Sequence, residues 1–447
     1  MMRWMAIALA VVLGSAPAAL AGGGDLEALE QRVIQGPALA DLVAYAYRTN
    51  PSIEAARQKW RATVEGYRVA TAYPDPQLMV TYFPDPLETR LGPQEWNATL
   101  TQGIPFPGKL SKAGDLVEAD ARIARLSLDR AVRDVIVRLR ESYHELLYIR
   151  QAKQVVAQNR DLLEHLRKVG ETAYAQDRAQ LLDVVKAQSQ SAQLQYDAIL
   201  LEELEQTERT RLNALLNRAP GAPIGPLADE PVRPLAYSLE ELYSLAAENQ
   251  EEIRIAGEEV ARAEDNVELA RYQNRPDFKV GLFYAGIGNP DVPVDPPDAG
   301  DDAVGVQVGL TIPLWFGKNS GRLERARSQV MAARARKAAV VNDAWSSIRA
   351  LYFRLNNAER LIRLYRDELL PQAAQSLEIS ETWFREGEGS FSDFVETESV
   401  WYNFSLALAR AKADYGKYLA RLERLTGLSL TERAEPPAER GSEEGSR

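Results

Sequence analysis

The feature that most constrains the fold of this chain is an internal repeat. An offset of 200 residues aligns Leu39 with Leu239, Leu42 with Leu242, Pro76 with Pro276 and Val80 with Val280. The offset grows to 210 where Asp183 aligns with Asp393, as a few loop insertions would cause. The 447 residues are therefore predicted to form two copies of one unit, at 22–218 and 237–427. A linker rich in Pro and Gly, 219–236, joins them.

Each copy is predicted to contain a helix, a strand pair, a long helix and a shorter return helix. The strand pairs, where apolar and polar residues alternate, cover 77–104 and 277–312, the long helices 109–170 and 318–386, and the return helices 178–217 and 391–427. The opening helix of the first copy is expected at 38–72. A helix of about 60 residues is roughly 90 Å long. The first long helix carries apolar residues in steps of four and three, which is typical of helices packed side by side.

Composition excludes most enzyme classes. The chain has no cysteine, which removes disulfides, thiolate metal sites and thiol catalysis. Its only histidines, His144 and His165, are too far apart to form a short metal-binding motif. The formal net charge of −11 argues against a nucleic-acid partner. We therefore expect no catalytic residues, no metal and no cofactor.

The two ends of the chain are interpreted separately from the repeat. Residues 1–21 have the basic start, short apolar run and small-residue end of an export signal, so the protein is expected to leave the cytoplasm. Residues 428–447, which are rich in charge and contain Pro436 and Pro437, are predicted to be a disordered tail.

The predicted strands are long enough to cross a membrane, but there are only four of them. Tilted membrane strands need about 9–11 residues, and the smallest membrane barrels use about eight strands. An unpaired strand edge in lipid costs several kcal/mol for each backbone group. If these strands span a membrane, several chains must share one barrel. The alternative is a soluble periplasmic coiled-coil scaffold or an adaptor protein, with the strands in a small sandwich.

The second copy carries a motif at the turn between its long and return helices. Phe384 is followed by Gly387 and then by Asp393. The first copy has Tyr174 and Asp183 at the matching positions, but Asp177 replaces the glycine. Together with the twice-repeated order of elements and an Ile-Pro…Gly-Lys step after each strand pair, this motif resembles the TolC-like outer-membrane efflux proteins. The stretch from Phe106 to Leu110 is most similar to the heavy-metal exporter branch.

The resemblance implies a mainly α-helical protein with a small membrane β part. Three chains would form a 12-stranded β-barrel, four strands per chain, continuous with a long α-helical barrel. Such a homotrimer would lie in the outer membrane, contact its lipid and extend into the periplasm. It would be the passive exit duct of a tripartite efflux system, joined by a periplasmic adaptor protein to an inner-membrane pump, of the resistance-nodulation-division type. The cargo would be metal ions or small toxic compounds.

The resemblance also assigns roles near the far end of the helices. Asp393 and Glu396, three residues apart on one helix face, would line the closed periplasmic end, and a trimer would bring six carboxylates together. Without the resemblance, an ordinary pair of solvated helix charges explains them equally well. The adaptor would dock on the two helix turns, formed by Asp177, Arg178, Ala179 and Gln180 and by Gly387, Glu388, Gly389 and Ser390. Phe384 has no hydroxyl, so the tyrosine contact that relatives make there is not expected.

Overall fold

The computed structural model describes residues 23–175, 181–291 and 297–432. The first half contains α1 (Gly23–Gln35), α2 (Leu39–Thr49), α3 (Pro51–Ala70), β1 (Gln77–Thr89), β2 (Gly92–Ile104), α4 (Lys109–Ala175) and α5 (Leu181–Leu215). The second half contains α6 (Leu239–Asn249), α7 (Glu251–Tyr272), β3 (Phe278–Ile287), β4 (Ala303–Leu310), α8 (Phe316–Arg363), α9 (Leu370–Glu386) and α10 (Phe391–Thr426). The protein is therefore mostly helical with one small sheet. The export signal expected at 1–21 lies outside the described residues.

Two expected continuous helices differ in the structure. The opening helix of the first half breaks at Asn50, because Pro51 has no N–H to continue the hydrogen-bond ladder and instead starts α3. The Asn50 side chain caps the new helix by accepting from the Ser52 and Ile53 N–H groups. The long helix of the second half stays continuous from Phe316 to Glu386, but a π-helical segment, Leu364–Leu369, joins α8 to α9 just before Pro371.

The four strands form one antiparallel sheet in the order β1-β2-β3-β4. The first two strands fill the predicted range 77–104, and an irregularity between Tyr82 and Leu87 contains Pro84 and Pro86. Proline is tolerated there because β1 is an edge strand. Within a single chain, both β1 and β4 have one side without a strand neighbour among the described residues. The sheet is therefore open at two edges.

Each strand is joined to one column of helices, where a column is one long helix or two helices placed end to end. Near the sheet, α3 packs on α4, α4 on α7 and α7 on α8, which is the same order as the strands. Farther from the sheet, α5 packs on α4, α4 on α10, and α10 on α8 and α9. The four columns are thus α3 with α5, α4 alone, α7 with α10, and α8 with α9. The first and last columns are the edges of the chain, on the same sides as β1 and β4.

The short helices surround the middle of the columns and supply two apolar cores. In the first, α1, α2 and the end of α5 pack against the middle of α4 around Tyr143, which is fully buried. In the second, α6 packs against α8 and α10 around Tyr415. Leu430 joins this second core and is also fully buried. Of the tail predicted to be disordered from 428 onward, the structure describes 428–432, and 433–447 lie outside the described residues.

Candidate functional site

The turn between α9 and α10 is built from glycine and serine. Gly387 ends α9 with φ of 79°, a left-handed conformation that side chains with a Cβ rarely adopt. Ser390 caps α10, and its Oγ accepts from the Asp393 N–H at 3.1 Å. Sequence and local geometry agree here, because glycine stops one helix and serine starts the next within four residues.

Asp393 and Glu396 lie in the first turns of α10, and both side chains are exposed. The exposed face of this part of α10 continues with Val400 and Asn403, at steps of four and three residues. The two carboxylates thus lie together on one solvent-facing stripe, as their spacing predicts. The structure of a single chain does not contain the other carboxylates that a ring would need.

The opposite face of α10 is anchored near the same end by a third apolar cluster. Phe394 is fully buried against Val156 and Leu163 of α4 and Leu194 of α5. One turn farther along α10, Glu398 is fully buried as well. Burial raises the pKa of the Glu398 carboxyl, and the neighbouring Asn159 and Ser399 side chains only partly oppose this shift.

The contact between Glu398 and Asn159 is incomplete. Both residues are fully buried, yet Glu398 Oε1 and both amide atoms of Asn159 have no hydrogen-bond partner of good geometry. Unsatisfied buried polar groups are costly, at about 1–3 kcal/mol each. Tyr402, one turn farther, has a better partner, since its hydroxyl donates to Asp197 of α5 at 3.4 Å. Burial, with the charge of Asp197, raises the pKa of Tyr402 to about 12. The N-terminal part of α10 is thus held by apolar packing beside a buried polar pair with incomplete hydrogen bonding.

The C-terminal half of α10 is held differently, by ion pairs to α4. Arg410 bonds Glu145 at 3.0 Å and stacks on the Tyr148 ring at 3.8 Å. The same carboxylate also pairs with Lys417. Burial opposes ionisation of Glu145, but these two cations outweigh it and lower its pKa. Further pairs continue the ladder between the two helices: Arg421 with Glu141, Arg140 with Glu423, and Arg424 with Asp134. Ion pairs therefore hold the C-terminal half of α10, whereas apolar packing holds its acidic end.

The sheet has two chemically different faces. One face carries large apolar side chains in rows across the strands, and these side chains are exposed in the single chain: Leu78, Leu100, Leu282 and Val306 in one row, and Val280 with Val308 in the next. The other face carries mostly polar and small residues, including Thr99, Thr101, Gly281 and Gln307. An apolar face outside and a polar face inside is the pattern of strands that pass through lipid around an aqueous lumen.

Most of the remaining predicted site residues lie in the described part of the chain, at the helix ends. Gly387, Glu388, Gly389 and Ser390 form the described turn between α9 and α10, and Phe384 packs beside the third apolar cluster. Tyr174 lies in the last turn of α4, and Asp183 lies in the first turn of α5. Asp177, Arg178, Ala179 and Gln180 lie outside the described residues. Sequence reasoning missed Asn159 and Glu398. The sequence carried a signal for Glu398 alone: this glutamate lies one helical turn from Phe394 and one from Tyr402, on an otherwise apolar stripe.

The described residues, 23–175, 181–291 and 297–432, contain no group of three or more His, Cys, Asp or Glu side chains arranged to hold a metal ion. None of their helices is both long and apolar enough to cross a membrane.

Comparison with known proteins gives a family match over part of the chain. Residues 242–428 match the family model described as outer membrane efflux protein. This part of the chain is similar to that family. Members of the family are outer-membrane efflux channels of tripartite systems, form trimers, and are not enzymes. Members of this family are located in the outer membrane and extend into the periplasm. A search of proteins with curated functions found no significant match.

Solved structures share the fold over nearly the whole chain. The outer membrane protein VceC of Vibrio cholerae is 18% identical with a TM-score of 0.71, and the match covers 88% of this chain and 96% of VceC. The CusC channel is 13% identical with a TM-score of 0.73, covering 87% and 92%. The open state of the MtrE channel of Neisseria gonorrhoeae is 15% identical with a TM-score of 0.71, covering 88% and 89%. At these identities the likeness concerns the fold alone.

Proposed function

We propose that the protein is the passive exit duct of a tripartite efflux system. In this proposal three chains, each with two copies of one repeat unit, close a 12-stranded barrel in the outer membrane above a continuous barrel of helices. The observation that carries the proposal is the open sheet. Among the described residues, its two edges have no strand partner, and its apolar face is exposed. The apolar face suits lipid, but the unpaired backbone groups of the edges do not, so the edges must pair with other chains.

The helical columns support the same assembly. Among the described residues, exposed large apolar side chains are absent from α4 and α7, the inner columns near the sheet. They are concentrated on the two edge columns. The first column exposes Tyr67, Val69, Tyr196, Ile199 and Leu204, and the last exposes Met331, Trp345, Phe353, Ile379 and Trp383. Exposed apolar side chains concentrated on both edge columns are what an interface along both edges would need.

The acidic pair would act at the periplasmic end of the duct. In a trimer, Asp393 and Glu396 would contribute six carboxylates around one axis. Such a ring attracts cations and repels anions by its charge. The turns around Gly387 and around Asp177 would receive the periplasmic adaptor, which connects the duct to an inner-membrane pump of the resistance-nodulation-division type. The cargo would be metal ions or small toxic compounds, selected mainly by the pump.

Membrane extraction tests the duct itself. We expect the mature protein to stay with the outer membrane after osmotic shock, to require detergent for release, and to migrate as a trimer that dissociates on heating. A soluble scaffold or adaptor would instead be released by osmotic shock. A water-soluble monomer would refute the proposal.

Planar bilayer recordings test the acidic pair. The double variant Asp393→Asn with Glu396→Gln removes the charge while keeping the side-chain size. We expect reduced preference for cations or altered conductance through the trimer. A matched control is Glu378→Gln on α9, an exposed carboxylate away from the turn. Unchanged currents in the double variant would remove the pore assignment and leave the duct in place.

A further inference from the structure

We infer that β4 of one copy pairs with β1 of the next in a specific register, with Leu310 opposite Val80, Gly309 opposite Thr81 and Val308 opposite Tyr82 of the neighbouring copy. This inference rests on the proposed trimer and specifies which residues pair between its neighbouring copies. The partner is therefore a second copy of this chain, joined head to tail through two unlike edges.

The chain contains a template for this contact, in the junction between β2 and β3. There, Gln102 lies opposite Val280, Thr101 opposite Gly281 and Leu100 opposite Leu282. Strand β2 leads through Ile104-Pro105 into α4, and β4 leads through Ile312-Pro313 into α8. Strand β3 follows Pro276 after α7, and β1 follows Pro76 after α3. The β4 and α8 edge thus corresponds to β2 and α4, and the β1 and α3 edge corresponds to β3 and α7.

Transposing the template gives the register directly. The Ile-Pro pairs after β2 and β4 are 208 positions apart, so Gln102 of β2 corresponds to Leu310 of β4. The Pro residues before β1 and β3 are 200 positions apart, so Val280 of β3 corresponds to Val80 of β1. The transposed pairs keep the faces of the sheet, since Leu310 and Val80 both belong to the apolar face and Gly309 and Thr81 to the polar one. A one-residue error would exchange the faces.

Two features limit and support this register. Pairing ends beyond Tyr82, because Pro84 and Pro86 have no N–H to donate. Leu78 lies level with Leu100, Leu282 and Val306 across the sheet. In the inferred register, Val306 lies level with position 84 of the next copy, so each chain shifts the register by six residues. A stagger of this kind is required when a sheet closes, because barrel strands are tilted.

The same correspondence between the repeats gives a second contact, at the corner between sheet and helices. Within the chain, Phe106 packs edge-on against Tyr272, with ring centroids 6.5 Å apart. The position that corresponds to Phe106 is Trp315, 209 residues on, when the Gly-Lys pairs are aligned. Tyr73 lies next to the position that corresponds to Tyr272. Trp315 is 76% exposed and Tyr73 is 64% exposed in the single chain. The two rings therefore stand on opposite edges, each without the partner that its counterpart has, and they would meet between copies.

Disulfide trapping tests the register, and the absence of native cysteine makes the readout clean. The double variant Thr81→Cys with Gly309→Cys should give covalent dimers and trimers on a non-reducing gel after mild oxidation of outer membranes, and reduction should abolish them. A Cβ at Gly309 has room, with Lys279 Cβ 3.8 Å away. Val80→Cys with Leu310→Cys tests the next pair, because alternate pairs in an antiparallel ladder differ in spacing. The shifted control is Met79→Cys with Gly309→Cys, on the same face but two residues out of register.

The outcomes separate the register from the proposed function. Covalent trimers from either in-register variant, at least fivefold more abundant than from the shifted control, would support the inference. Preferential trapping of the shifted pair, or no trapping while a heat-sensitive trimer still forms, would overturn the register and leave the duct intact. A chain that remains a monomer would refute the proposed function itself. Thr101→Cys with Gly281→Cys, opposed within one chain, verifies that oxidation reaches the polar face.

Discussion

The Asn50 amide nitrogen donates a hydrogen bond of 2.8 Å to the carbonyl oxygen of Leu215. This bond joins the start of α3 to the end of α5, two helices separated by 165 positions in the sequence. Thr49 adds a second link of 2.8 Å from its hydroxyl to the Leu216 carbonyl. Carbonyls at the end of a helix have no partner within that helix, so these side chains supply it. Two shorter helices, of 20 and 35 residues, thereby continue one another alongside the 67-residue α4.

Replacing Asn50 with alanine should weaken this junction. The variant loses the cap on α3 and leaves the Leu215 carbonyl without its donor, so we expect a loss of about 1–3 kcal/mol in the free energy of unfolding. Urea unfolding of the purified protein measures it. Gln250 is a matched control, because it occupies the equivalent position before α7 and its side chain forms no cap. Equal losses for Asn50→Ala and Gln250→Ala would contradict the role of the junction.

The contact between α4 and α10 depends on a glycine. A Cβ at Gly416 would overlap the imidazole ring of His144. Gly416→Ala should therefore destabilise the protein by roughly 1–3 kcal/mol. His144→Ala would open space for the methyl group, so the double variant should be more stable than the sum of the two single effects predicts. Thermal unfolding of the four proteins completes the cycle, and additive effects would show that the clash is relieved elsewhere.

His144 should also make stability depend on pH. Burial, with the charges of Arg140 and Lys417, lowers the pKa of His144 to about 4. The unfolded chain, with a pKa near the ordinary value of about 6.5, binds a proton that the folded chain excludes. The contribution of His144 is therefore complete above about pH 6.5 and declines as the pH falls toward 4. His144→Gln should reduce this slope in urea midpoints measured between pH 4.5 and 7.5, whereas the difference at pH 7.5 reports packing alone. An unchanged slope would exclude His144 as its source.

Glu398 should respond to pH in the opposite direction. Its raised pKa means that the folded protein holds a proton that the unfolded chain releases, so stability declines as the pH rises above the ordinary carboxyl range. Glu398→Gln cannot ionise and should be more stable than the wild type near pH 7, by about 1 kcal/mol or more. Thermal unfolding at pH 5 and pH 7.5 measures this difference. Glu386→Gln, on an exposed carboxylate at the end of α9, is the control. A destabilised Glu398→Gln protein at pH 7.5 would mean that the carboxylate is ionised and well paired.

The sequence predicted the order of elements because each carries a local signal. Alternating residues indicated the strands, and a long Pro-free heptad pattern indicated α4. The break at Asn50 was also readable, since Asn followed by Pro is a helix start, but continuous apolar spacing concealed it. The π segment before Pro371 could not be predicted from the sequence, because a proline inside a helix can end it, bend it or be absorbed.

Predictions about the site were limited for a different reason. The spacing of Asp393 and Glu396 sufficed to place both on one face, since that relation is local. The burial of Glu398 against Asn159 depends on how α10 lies on α4, and the two residues are separated by more than 200 positions. The ladder from Glu145 to Arg424 is equally non-local. Charged residues on two helices predict ion pairs only when the alignment of the helices is known.

In the proposed trimer, the two lateral edges of each chain differ from each other, and this has a genetic consequence. A chain damaged only at β4 and α8 would keep an intact β1 and α3, so it could still bind a healthy sister chain while offering nothing on its other side. Mixed rings would then fail to close, and one faulty gene copy would disable the products of a sound one. Lesions at a single edge are therefore expected to be dominant, whereas lesions that unfold the whole chain should be recessive.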